Sequence, residues 1–183
     1  MMNLLLVADI FGKTRALENL AKNLSSLYEN VHIIDPYKGI DRKFKDEEEA
    51  YVYFSKNVGL ENYKKILDAS LCKIQDEQIS LVGFSVGASA IWLLSEKTYF
   101  QKLKKVTCFY SSQIRHFLDI SPNSQVTFYF PSFEKHFDVD SVIKVLSKNK
   151  NIVCKKTKFL HGFMNECSKN YDLRAYNEYI QVL

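Results

Sequence analysis

Six short apolar runs, spaced by segments with helical periodicity, limit what this 183-residue chain can fold into. Leu4-Leu5-Leu6-Val7 stops at Asp9, and Val31-His32-Ile33-Ile34 stops at Asp35-Pro36. Ile79-Ser80-Leu81-Val82-Gly83-Phe84 runs straight into Ser85, and residues 106–110, 126–130 and 152–159 complete the set. Short apolar runs that end at turn residues are the pattern of buried parallel strands. Between them, residues 13–28 carry Ala16, Leu17, Leu20, Ala21, Leu24 and Leu27 as a helical stripe. Residues 62–75 do the same with Tyr63, Ile66, Leu67, Leu71 and Ile74, while residues 139–147 and 173–183 also read as helices. Residues 87–94 begin small and end large, as in a helix packed closely on a sheet. The alternation predicts one α/β domain over residues 1–183, doubly wound, with a mostly parallel sheet of about six strands and helices on both faces.

Composition agrees with an ordinary globular chain, 46% hydrophobic and 25% charged, with thirteen Phe and eleven Tyr for a core or pocket. The net charge of +4 is spread along the chain, so no dedicated nucleic-acid surface is expected. Cys72, Cys108, Cys154 and Cys167 lack ligand spacing, which predicts reduced thiols, no metal and a cytoplasmic protein. No signal peptide is visible, and no run reaches the roughly 20 apolar residues of a membrane span. The highly charged residues 41–56 read as solvated helix and loop. The stretch 41–65 is the only one with room to cover a pocket, so no large cap domain is expected. Its Tyr51, Tyr53 and Phe54 read as packing on the core, with a part in shaping substrate choice as the alternative.

The sharpest local signal is Gly83-Phe84-Ser85-Val86-Gly87. As a bare string it is weak, but here a strand ends at Phe84 and a helix begins within three residues, which is the context of a nucleophile elbow. Such a turn presents the Ser85 hydroxyl above the sheet and points the Val86 amide, at a helix N-terminus, towards a developing oxyanion. A serine nucleophile needs a base and an acid to orient it, in the chain order Ser, acid, His. His161, just past the last strand, is the best placed base. His32 lies in a strand before the elbow, His116 precedes any acid loop, and His136 is a spare candidate. Glu134 is the first carboxylate after the fifth strand and the chosen acid. Asp138 and Asp140 suit the N-terminus of the next helix, with Asp138 kept as an alternative acid. A second oxyanion donor is expected after the first strand, from Ile10 or Phe11.

Together these pieces resemble the dienelactone hydrolase family of α/β-hydrolases. The matching segments are Asp9-Ile10-Phe11-Gly12, Asp35-Pro36-Tyr37, Gly83 to Gly87, Phe133 to Asp138 and His161-Gly162-Phe163. The resemblance implies a trimmed α/β-hydrolase fold, lacking the first two of the family's eight strands. It also implies a Ser85-Glu134-His161 triad with Ile10 and Val86 amides as oxyanion hole, working without a cofactor. Asp9, Phe11 and Tyr37 are then expected at the pocket. The founding members carry Cys at Ser85 and Glu at Asp9, with substrate-holding arginines where this chain has Gly39 and Asn165. The expected activity is therefore hydrolysis of a small-molecule ester, lactone or thioester rather than of a dienelactone in particular. A non-catalytic binding protein of the same fold, and an acyl-carrier or acyl-CoA esterase, are the alternatives.

Overall fold

The computed structural model describes residues 2–73 and 78–183. The helical expectation for Ile74 and Gln75 lies outside the described residues. Six strands, β1 (Asn3–Val7), β2 (Asn30–Ile34), β3 (Ile79–Phe84), β4 (Lys105–Phe109), β5 (Val126–Phe130) and β6 (Ile152–Lys156), form one sheet in the order β2-β1-β3-β4-β5-β6. Every pairing is parallel. Among the described residues, six α-helices cover it: α1 (Arg15–Leu24), α2 (Glu47–Asn57), α3 (Gly59–Lys73), α4 (Val86–Leu94), α5 (Val139–Leu146) and α6 (Leu173–Ile180). Short 3-10 turns follow α4 and β4, at Thr98–Lys102 and Gln113–His116. Among the described residues, no helix is long and apolar enough to cross a membrane.

The two-residue period of the strands sorts the core into two layers. Leu5 and Val7 of β1 join Phe54, Tyr63, Leu67, Trp92 and Val142 on the face covered by α2, α3, α4 and α5. Leu4 and Leu6 join Leu17, Leu20, Leu24, Phe163 and Ala175 on the face covered by α1 and α6. Burial on both faces is why β1 and β3 read as continuous apolar runs. The edge strand β2 is covered less completely, and His32 is exposed on it.

Several boundaries and one region differ from the sequence reading. Helix α1 begins only at Arg15, because Gly12 turns back onto the Asp9 carbonyl and the Thr14 side chain caps the Leu17 amide. Strand β6 stops at Lys156, where the chain folds back: the Thr157 amide bonds the Phe130 carbonyl and the Thr157 hydroxyl takes the Phe159 amide. Helix α6 ends at Ile180. Within residues 41–56, the charged face of α2 hides a packed one. Ala50 and Phe54 are buried and Tyr53 lies against the core, while Tyr51 stands 49% exposed.

The chain leaves β1 for β2 on one side and returns to β3 on the other. The carboxyl ends of β1 and β3 therefore flank a topological switch point, where open α/β sheets leave a crevice. Ser85 follows the end of β3 directly, and Asp9 follows the end of β1 after Ala8.

Candidate active site

Ser85 joins β3 to α4 with φ 50° and ψ −113°, a conformation that a side chain adopts only when its surroundings impose it. Two glycines make the turn possible. A Cβ on Gly83 would lie 2.8 Å from the Ala88 nitrogen, and one on Gly87 would run into the carbonyls of Val7 and Ala8. Helix α4 thus starts in direct contact with the end of β1. The Ser85 amide is held by the Phe109 carbonyl at 3.0 Å, which ties the turn to β4.

The Ser85 hydroxyl lies 3.0 Å from His161 Nε2, and His161 Nδ1 lies 2.6 Å from Glu134 Oε1. A carboxylate only accepts, so in the neutral imidazole the proton sits on Nδ1 and Nε2 accepts from the serine. The three residues come from the ends of β3, β5 and β6. Glu134 is drawn inward, its side chain 9% exposed against 28% for His161. The imidazole packs on the Tyr110 ring, centroids 4.9 Å apart, and Asn170 Nδ2 donates to the His161 carbonyl at 2.8 Å. Asp138 stands apart: it caps α5, accepting from the Asp140 amide and the Ser141 hydroxyl, and the Ser141 bond lowers its pKa. Asp140 meets Lys156. His116, His136 and His32 are exposed, and His136 lies on the wall of the cleft.

The loop after β1 faces Ser85. Asp9 is buried, with Oδ1 accepting from the Phe11 amide at 2.9 Å and Oδ2 from Asn165 Nδ2 at 2.7 Å. Burial raises its pKa in spite of both bonds. The Phe11 amide is thereby committed to Asp9. The Val86 amide belongs to the first residue of α4, where an N–H has no partner within the helix. Tyr37 is not a pocket residue. It is 3% exposed beneath the loop, and its hydroxyl donates to the Ile10 carbonyl at 2.6 Å. Asp9, Ile10, Phe11, Ser85, Val86, Glu134 and His161 all border one open cleft of about 650 Å³. Tyr51, Phe133 and Leu160, each exposed, stand on its rim.

Sequence reasoning missed Tyr110, Asn170 and the Asn165–Asp9 bond. Tyr110 closes the apolar run 106–110, so its place near the sheet end was readable. Nothing in the spacing of the two asparagines marks them.

Solved structures share this fold over all or nearly all of the chain. A dienelactone hydrolase-like promiscuous phosphotriesterase from metagenomic libraries aligns with 100% of this chain and 85% of its own, at TM-score 0.66 and 14% identity. The fold is that of the α/β-hydrolases. The carboxylesterase of Bacillus cereus aligns with 99% of this chain and 86% of its own (TM-score 0.57, 15% identity). The N-formylmaleamic acid deformylase of Pseudomonas putida S16 aligns with 98% and 90% (TM-score 0.61, 10% identity). In sequence, the uncharacterized protein YczH of Bacillus subtilis strain 168 is 29% identical over 141 residues, 76% of this chain and 68% of that protein. No family model matches the chain.

Proposed function

We propose that this chain is a serine hydrolase that cleaves a carboxylic ester, lactone or thioester of a small molecule through an acyl-enzyme. The observation that carries the reading is the unbroken relay from Ser85 through His161 to Glu134, at 3.0 and 2.6 Å, on a strained elbow. Ser85 Oγ attacks the carbonyl carbon while His161 Nε2 takes its proton, and Glu134 holds the imidazole and stabilises its cation. Negative charge develops on the carbonyl oxygen, within reach of the Val86 and Ile10 amides, and the positive end of α4 adds to that stabilisation. His161 then gives its proton to the departing alcohol or thiol. Water, activated by the same imidazole, releases the acyl group from Ser85.

A fluorophosphonate probe should label the protein, and the purified chain should hydrolyse p-nitrophenyl acetate. Ser85→Ala should abolish labelling and lower turnover by at least about a thousandfold. Undiminished labelling in that variant sinks the assignment of Ser85. A folded wild-type protein that never reacts favours the non-catalytic binding protein instead.

A further inference from the structure

The walls of the cleft differ in charge. On the side of the β1 loop and α2, Asp9 is bonded to Phe11 and Asn165, and Glu47 accepts from the Ser168 hydroxyl at 2.5 Å with Lys169 at 3.8 Å. Each charge there has a partner. On the opposite side, the loop after β5 and the turn at Gln113–His116 bring Arg115 and Lys135 to the wall, with His136 beside them. The acid of that wall, Glu134, is turned onto His161. Among the described residues, neither Arg115 nor Lys135 enters an ion pair. The next acids along the chain are taken, Asp138 by Ser141 and Asp140 by Lys156. The Arg115 guanidinium is held in place: it donates to the Ser112 carbonyl and lies over the Phe137 ring, 5.6 Å from its centroid. A half-buried, oriented guanidinium with free donors is suited to a phosphate or carboxylate.

The chemistry decides which part of the substrate meets this wall. With the carbonyl oxygen at the Val86 and Ile10 amides, the leaving atom must lie near His161 Nε2, from which it takes its proton. Beyond that atom the substrate runs past His161 towards the loop that carries Glu134 and Lys135. We infer that the leaving group carries an anionic substituent, phosphate or carboxylate, which Arg115 and Lys135 bind. The inference rests on the hydrolase reading above, and it adds the side of the scissile bond on which the charge sits.

The test compares acetyl esters that differ only in the leaving group: para-acetoxybenzoate, para-acetoxyphenyl phosphate and the neutral methyl para-acetoxybenzoate. Each kcat/KM is divided by the hydroxide-catalysed rate of the same ester. At low salt an anionic leaving group should gain about fivefold to tenfold over the neutral one. The gain should vanish at about 0.5 M salt. The larger of the two anionic gains identifies phosphate or carboxylate as the preferred group. Arg115→Gln should bring the ratio to near one, and the exposed Lys135→Gln, which has little packing to lose, should lower it. A carboxylate on the acyl side, in mono-p-nitrophenyl succinate, should bring no comparable gain over p-nitrophenyl butyrate. Equal normalised rates, or a preference that survives in both variants, overturn the inference while p-nitrophenyl acetate turnover leaves the hydrolase reading standing. Absence of turnover and of Ser85 labelling overturns both.

Discussion

Ser85 sits in an unfavourable backbone region, and strain of this kind costs of order 1–3 kcal/mol. The elbow keeps it because the neighbouring contacts leave no alternative. At the same scale, Glu134 and Asp138 separate cleanly. Glu134→Gln should lower kcat by about a hundredfold or more, since the wrong imidazole tautomer is then favoured. Asp138→Ala should leave ester hydrolysis within about twofold and lower Tm, because that carboxylate caps α5. Paired kinetic and thermal measurements check both, and an activity loss at Asp138 comparable to that at Glu134 reverses the assignment. Asp9 makes a prediction about pH. Burial raises its pKa above the ordinary 3.8, so over a window starting there the unfolded chain has lost a proton that the folded chain keeps. Stability contributed by Asp9 therefore falls as pH rises through that window. Asp9→Asn does not titrate, so its Tm relative to wild type should be higher at about pH 7 than at about pH 4. A gap that does not change with pH contradicts the shift.

Helices and strands meet most tightly where α4 passes the end of β1. Gly87 has no room for a side chain, because the carbonyls it would strike belong to the sheet backbone and cannot rotate away. Gly87→Ala should destabilise the protein by about 1–3 kcal/mol in urea unfolding and displace Ser85, with a matching loss of probe labelling. A variant of wild-type stability and reactivity would show that the contact is softer than its geometry indicates. Helix α2 teaches a different lesson. Its three glutamates in the first turn follow the Asp46 cap and make the segment read as solvated, yet Tyr53 and Phe54 pack on the core as their apolar character predicts, and only Tyr51 departs, overlooking the cleft. Charge at a helix N-terminus is favoured by the helix dipole, so an acidic first turn is compatible with a packed apolar face further along the helix.

Across the molecule, both core layers share the same sheet, so neither persists when the other is lost. Trp92, the only tryptophan, is fully buried on one face, and its indole N–H donates to the Phe117 carbonyl at 2.8 Å. Its fluorescence should therefore follow the same urea transition as far-UV circular dichroism, with one midpoint. Two separated midpoints would show that the layers unfold independently. The same architecture explains how residues far apart in the chain, Ser85, Glu134 and His161, reach one crevice: parallel strands deliver all their carboxyl ends to one edge.

The strand runs, the strand-to-helix turn at Ser85 and the meeting of Glu134 and His161 at the sheet edge were legible in the sequence. They depend on local periodicity, on glycines at a turn, and on the directionality that a parallel sheet imposes. The ends of α1 and β6, the place of Tyr37 beneath the loop, the loss of the Phe11 amide to Asp9, and the partnering of Asp9 with Asn165 were not. These are decided by contacts between segments as much as 156 positions apart. Hydrogen-bond partners at that range compete through geometry, and only the folded chain shows which one wins.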